Sequence, residues 1–390
     1  MDKTKLNEGM KKYTMVIALL FVTLFFTWQT GGKLLLPQNV SNLIAQNAYV
    51  FVLATGMLLC ILTGGNIDLS VGSVVCFVGA IGAKLMESMG MNPVLAVIVM
   101  LVIGTLIGAW QGFWIAFVRV PPFIVTLAGM LIFRGLSNVV LNGQTESITS
   151  KGFIKIFGGG ADCYIPDVFG IEEFNLTSML LGVLACVIYV IIQVMGRRNR
   201  VKKGYATESL SAMIAKTVVI CAVVLAFTYK ISKYRGIPTA LIWVLIVVLV
   251  YGYITSKTTT GRHFYAVGGN EKATKLSGIN TDKVYFLAYC NMGFLAALAG
   301  MLTIARMTSA QPTYGQNYEM DAIGSCFIGG ASAYGGVGTV AGVIIGAVLM
   351  GVINLGMSIM GVDANYQRVV KGFVLLGAVI FDVVSKKRNK

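Results

Sequence analysis

Six polar side chains stand where an apolar chain rarely keeps them. Asn66, Asp68 and Ser70 lie in Gly64-Gly65-Asn66-Ile67-Asp68-Leu69-Ser70-Val71-Gly72-Ser73, Arg134 lies inside an apolar run, and Glu319 and Asp321 stand at the head of another. A charge at the centre of a membrane helix costs about 2.5–3.5 kcal/mol on insertion scales, so one that is kept there caps, pairs or lines a path. Asp68 or Ser70 is placed to cap the orphan N–H groups of the helix that follows. Either is also a candidate for a translocation path or gate, as is Asn66, and the two roles are compatible. Glu319 and Asp321 suit the positive end of a helix dipole, and they are path candidates as well. With Asp68 they are the carboxylates an ion-coupled transporter would use. Arg134 either snorkels to the interface or turns into the protein interior.

Other chemistry has little to work with. His263 is the single histidine, which argues against histidine-based metal sites and catalytic triads. The seven cysteines form no CxxC pair and no metal spacing; six lie in apolar stretches, and Cys163 lies in a polar loop. No Gly-x-x-x-x-Gly-Lys-Ser/Thr phosphate loop occurs, so ATP hydrolysis is not expected on this chain. No catalytic residue, metal ligand or resident cofactor is expected, and a membrane enzyme is disfavoured.

The elements that must hold these residues are membrane helices. The 390 residues are 56% hydrophobic and 12% charged, against about 25% charged in a soluble domain. Apolar runs fall at 13–29, 43–63, 71–86, 94–118, 122–142, 177–195, 213–229, 237–255, 284–305, 321–334, 339–360 and 368–384. Each span needs about 20 such residues. The expected fold is all-α, a polytopic transmembrane helical bundle of about 10–12 membrane segments, some of them short or re-entrant because glycines interrupt them. The run 321–334 is the clearest short one. The first run follows Lys3, Lys5, Lys11 and Lys12 with no small-residue cleavage site after it, and reads as a retained span.

The net charge of +15 follows the positive-inside bias and does not mark a nucleic-acid surface. Both termini are expected in the cytoplasm, together with Arg119, the basic stretch 196–212 and the connection 256–283. The loop 143–176 leans acidic, with Glu146, Asp162, Asp167, Glu172 and Glu173 against Lys151 and Lys155, and belongs outside. Lys230, Lys233 and Arg235 run against this rule, which makes the 213–255 pair the weakest part of the topology. The chain reads as one transmembrane permease domain over 1–390, with an extra basic loop and helix pair at 196–255.

Three further motifs stand out. Val120-Pro121-Pro122-Phe123-Ile124-Val125-Thr126-Leu127 reads as an extended residue and a proline-started helix. The segment 258–280 does not read as linker: Glu271 to Ser277 has helical spacing, Ala273 and Leu276 share a face, and Gly278 is placed to end it. Such a helix lies on lipid or docks in a groove of a soluble partner, and its few apolar residues are weak for lipid. Finally, Gly329-Gly330-Ala331-Ser332-Ala333-Tyr334-Gly335-Gly336-Val337-Gly338-Thr339-Val340 echoes the motif at Gly64-Gly65, and Gly342, Gly346 and Gly351 beyond it permit close helix packing.

At these motifs the sequence resembles the permease subunits of bacterial ABC monosaccharide importers, the ribose, xylose, galactose and multiple-sugar group. The matching features are the G-x-IDLSVGS turn, the PPFIVTL helix start, the TGR-x-x-YA-x-GGN-x-x-A-x-x-SGI loop, and a C-terminal stretch with E-x-DAIG, GGAS, GG-x-GTV, Asn354, Gly356-Met357, Gln367 and Lys371-Gly372. The likeness runs from about Asn39 to Val383. It implies a path built by two copies of the chain, a partner ABC ATPase that holds ATP and Mg, and an extracytoplasmic sugar-binding protein, all at a bacterial inner membrane. It also implies that 256–283 carries a coupling helix, with Gly261, Arg262, Gly268, Gly269, Asn270, Ala273, Leu276, Gly278 and Ile279 as docking residues. About 60 residues separate the 177–195 span from that loop, where ribose-type members have almost none, so the xylose or multiple-sugar branch is the better match. Nucleosides or another small polar metabolite remain the alternative cargo, and an ion-coupled transporter the alternative class.

Overall fold

Polar caps and prolines set the ends of the helices. A computed structural model describes residues 3–158, 163–170, 174–205, 207 and 209–387. Asp162, Glu172 and Glu173, used above to orient the chain, lie outside the described residues. In chain order the helices are α1 (Lys3–Gln29), α2 (Pro37–Leu62), α3 (Val71–Ala83), α4 (Pro93–Ala116), α5 (Pro122–Leu141), α6 (Lys151–Phe157), α7 (Leu176–Lys202), α8 (Leu210–Ser232), α9 (Thr239–Lys257), α10 (Thr259–Gly269), α11 (Glu271–Leu276), α12 (Thr281–Met307), α13 (Tyr318–Ile328), α14 (Val340–Ile359) and α15 (Ala364–Lys387). Two short strands, β1 (Glu146–Ser147) and β2 (Ser309–Ala310), pair antiparallel.

Pro93 and Pro122 occupy the first helical turn, where a missing N–H costs nothing. Asn92, Asn175, Ser209, Thr258, Asn270, Asn280 and Thr339 each accept a first-turn N–H through the side chain, satisfying donors that the helix itself leaves without a partner. Every apolar run of the sequence contains a helix. Among the described residues, nine helical stretches are long and apolar enough to cross a membrane. α1, α13 and α15 are not among them: the apolar part of α1 is Met15–Gln29, α15 carries Arg368, Lys371 and Asp382, and α13 has only 11 residues. At 1.5 Å per residue α13 is about 16 Å long, half of the roughly 30 Å hydrocarbon core. The short run at 321–334 is therefore a partial helix, entered through the irregular stretch 311–317.

The chain divides into two compact units. In the first (1–34, 43–163 and 240–390) the 27-residue α12 is the hub. It packs along α4 and α3, and glycine lets the α4 and α12 backbones touch: a Cβ at Gly104 or Gly108 would collide with Ala297 or the Tyr289 carbonyl, and one at Gly293 with Gly104. Gly342 and Gly346 do the same for α14 against Gly329 and Ser325 of the α13 end, while Gly351 meets the Asn47 side chain. In the second unit (35–42 and 164–239) α7 and α8 form a hairpin, with Gly182 against Thr228 and the Cys186 thiol on the Cys221 carbonyl.

Within the first unit two loop clusters mark opposite ends of α3 and α12. One gathers the turn 63–70, Arg119, the connection 258–282 and the loop 331–339. The other joins the π-helical end of α3 (Lys84–Ser88) to β1 and β2: Lys84 Nζ lies 2.6 Å from Glu146 Oε2, and Glu87 accepts from Thr149 N at 2.8 Å. The hydrogen bonds from Lys84 and Ser88 hold the Glu146 carboxyl below the usual carboxylate range, against a smaller effect of burial.

Candidate functional site

The connection between α9 and α12 is a built structure, and α10 is the part that sequence reasoning missed. Thr258 caps α10 by accepting from Gly261 N at 3.1 Å. Gly261, Phe264, Val267 and Gly268 form one face at helical spacing, and Phe264 and Val267 are buried. A Cβ at Gly261 would collide with the Ile254 carbonyl, and one at Gly268 with the Leu62 carbonyl and Gly336 N. Tyr265 donates to the Gly338 carbonyl at 2.8 Å. Thus α10 lies backbone to backbone on the end of α2 and on the glycine loop 335–338.

Helix α11 follows after Asn270, whose Oδ1 accepts from Ala273 N at 3.0 Å; Gly278, at φ +83°, turns the chain away. This matches the expected helix to within one residue. Its fixed side bears Glu271, half-buried, and Thr274, buried. Arg119, between α4 and α5, donates to Glu271 Oε1 at 2.8 Å and also pairs with Asp282. Its guanidinium lies 5.5 Å from the centre of the Tyr285 ring, and the Tyr285 hydroxyl donates to Glu271 Oε2 at 3.1 Å. Burial raises the Glu271 pKa, but the bonds from Arg119 and Tyr285 outweigh it and hold the carboxyl below its ordinary range. Arg119 has φ +64°, an uncommon region for a side-chain-bearing residue, so the turn aims it at α11 at some backbone cost. The free side of α11 carries Ala273 and Leu276, and Leu276 is 90% exposed. Arg262, Gly269, Asn270 and Gly278 are exposed too, and Ile279 is half-buried.

Two glycine turns link this connection to the interior. Gly336 N donates to the Leu62 carbonyl at 3.0 Å. Gly335 packs on Gly64, and a Cβ at Gly65 would collide with the Ala333 carbonyl. All four glycines have positive φ, open only to residues without a side-chain clash there. The echo between the two motifs is therefore also a contact, although Gly64 and Gly65 meet Gly335 and Ala333 and not their counterparts Gly329-Gly330. Asp382 of α15 accepts from Ala333 N at 3.2 Å and joins the same crossing.

Beyond it lie the polar residues. Asp68 is buried and its Oδ1 accepts from Ser70 N at 2.8 Å and Ser70 Oγ at 2.6 Å. Ser70 Oγ in turn accepts from Gln111 Nε2 of α4 at 2.7 Å. Neither side chain caps α3 as expected. Ser70 stands at the N-cap position with helical φ and ψ, and its hydroxyl is already engaged by Asp68 and Gln111, so Asp68 closes the turn one residue ahead of the helix. Asn66 Nδ2 bonds Thr63 Oγ1 at 3.2 Å in the same turn. Glu319, in the first turn of α13, is buried against Gly72. Arg134 takes the interior course: its Nη1 donates to the carbonyls of Pro312 at 3.0 Å and Tyr314 at 2.6 Å, holding the irregular approach to α13. Asp321 belongs to a different cluster. It pairs with Lys371 of α15 at 2.9 Å and accepts from the Tyr49 hydroxyl at 2.7 Å, while the Tyr49 ring stacks on Tyr318 with centroids 3.6 Å apart. Gln111 and Lys371 were not singled out by role, though each is a polar residue inside an apolar run, the signal that found Arg134.

Residues 39–379 match the family described as "Branched-chain amino acid transport system / permease component". The chain belongs to this permease family. It is 37% identical over 381 residues to a xylose transport system permease protein of Escherichia coli, covering 98% of this chain and 94% of that protein. It is 38% identical over 382 residues to the corresponding protein of Haemophilus influenzae, covering 98% of both. A ribose import permease protein of Escherichia coli is 35% identical over 345 residues, covering 88% of this chain and 85% of the relative. No solved structure matches. The permease is thus a helical, multi-pass membrane transport protein and not an enzyme.

Proposed function

We propose that this permease forms the membrane path of an ATP-driven monosaccharide importer and is worked from the cytosol through α10 and α11. Sequence likeness to xylose and ribose permeases supports the cargo class. One observation carries the coupling role: an exposed leucine, Leu276, sits at the tip of a helix braced on its other side by Arg119 and Tyr285. An exposed apolar tip on a rigid mount suits a groove on a soluble partner. In this reading a partner ABC ATPase, holding ATP and Mg, receives Ala273, Leu276 and Ile279, with Arg262, Gly269, Asn270 and Gly278 around them. Gly261 and Gly268 seat the handle on α9 and α2.

A partner shifts a conformational equilibrium only through contacts that differ between its two states. Here such a difference would pass from α11 through α10 to Leu62 and Gly336, and so to the turn holding Asn66, Asp68 and Ser70 and to α13. Asn66, Asp68, Ser70, Arg134, Glu319 and Asp321 are then assigned to the path or its gates. Two copies of the chain and an extracytoplasmic sugar-binding protein complete the importer at the bacterial inner membrane, with both termini and α10–α11 cytoplasmic. The test is sugar uptake into vesicles holding the purified chain alone, and into vesicles that also hold the ATPase and binding protein. Uptake that needs ATP and both partners supports the proposal; uptake by the chain alone, driven by a proton or sodium gradient, refutes it.

A further inference from the structure

The importer reading leaves the α7–α8 hairpin without a role. The apolar stretches of α7 and α8 are almost wholly unburied, so both helices face their surroundings along most of their length. At the end of α7, Arg197, Arg198, Arg200, Lys202 and Lys203 put five cations into seven residues. Lys216, exposed in the second turn of α8, adds a sixth at the same end of the antiparallel hairpin. A helix C-terminus carries only about half a negative charge, and Lys203 N already bonds the Asn199 and Arg200 carbonyls. The cations exceed what the helix end needs. Among the described residues, no ion pair engages Arg198, Arg200, Lys202 or Lys203. Asn199, Arg200, Lys203 and Tyr205 line a cavity of about 340 Å³, and Tyr205 and Val201 are exposed beside it.

We propose that this end of the hairpin binds the headgroup of an anionic phospholipid. The phosphodiester sits in the Arg200–Lys203 cavity, Asn199 and Tyr205 supply neutral hydrogen bonds, and the acyl chains lie along the exposed leucine, isoleucine and valine residues of α7 and α8. The commitment to lipid rests on complementarity on both sides: Arg198, Arg200, Lys202 and Lys203, which have no acidic partner among the described residues, directly join a lipid-length apolar surface, and a tyrosine stands at the junction, where interfacial aromatics collect.

The test measures binding of dioctanoyl phosphatidylglycerol, dioctanoyl phosphatidylcholine and inorganic phosphate to the full chain in neutral detergent, by native mass spectrometry and thermal stabilisation. Wild type is expected to prefer phosphatidylglycerol over phosphatidylcholine by about tenfold, as several surface cations imply. The variant Arg198→Gln, Arg200→Gln, Lys202→Gln, Lys203→Gln is expected to lose that preference, while Lys151→Gln, Lys155→Gln in α6 keeps it. All these positions are exposed, and monodispersity on gel filtration checks folding. Equal binding of the two lipids by wild type, or a preference that survives the fourfold change, overturns the proposal. Inorganic phosphate binding as tightly as phosphatidylglycerol also overturns it, assigning the cluster to a free anion.

Discussion

Removing Lys371 isolates one of the most deeply buried carboxylates in the molecule. The Asp321 side chain is 2% exposed and that of Lys371 18%, with 2.9 Å between Nζ and Oδ1. At an effective dielectric of 20 the gross attraction is about 6 kcal/mol, most of which offsets the cost of taking both ions out of water. The net value of the pair is therefore small, while loss of one partner is costly: Lys371→Met should destabilise by about 3–5 kcal/mol. The Tyr49 hydroxyl still donates at 2.7 Å and keeps the loss at the lower end of that range. The double variant Asp321→Asn, Lys371→Met removes both charges and should return to within about 1 kcal/mol of wild type. Equilibrium unfolding in mixed micelles, run as a double-mutant cycle, measures all three. Single variants within about 0.5 kcal/mol of wild type, or a double variant as unstable as the sum of the singles, would refute the pairing of α13 with α15.

Three further outcomes follow from the handle. Arg119→Ala should change global stability by less than about 1 kcal/mol, because the brace is partly exposed, yet it should open 258–282 to limited proteolysis at neutral pH. The Glu271 carboxyl is held below its ordinary range, so its share of the brace is present above the unfolded carboxylate pKa of about 4.3 and is lost as pH falls through the depressed folded value; protease sensitivity of this connection in wild type should rise only in that acid window, and a rise near pH 6 would contradict the assignment. Gly268→Val should cost about 1–3 kcal/mol by thermal unfolding, since the new side chain must separate α10 from Leu62 and Gly336.

The helices were legible because lipid demands long apolar runs, and all twelve runs carry one. The short α13 was legible too, from length and glycine alone. Helix α10 was not: three glycines and two threonines lower its propensity, and its face is made by Gly261 against the backbone at the end of α9 and Gly268 against backbone from the distant Leu62 and Gly336. Gly278 marked the end of α11 correctly because caps are local. Arg119 and Lys371 escaped for the opposite reason, as their partners lie 152 and 50 residues away. Asp68 or Ser70 was expected to cap α3, but Asp68 instead accepts from Ser70, whose hydroxyl is engaged by Gln111 across 41 residues.

Leu276→Asp puts a charge on the exposed tip of α11 and touches no buried contact. Membrane insertion and thermal stability should match wild type, while co-purification of the ATPase and ATP-dependent sugar uptake should both disappear. Normal uptake by this variant would contradict the claim that a cytosolic motor grips the permease there.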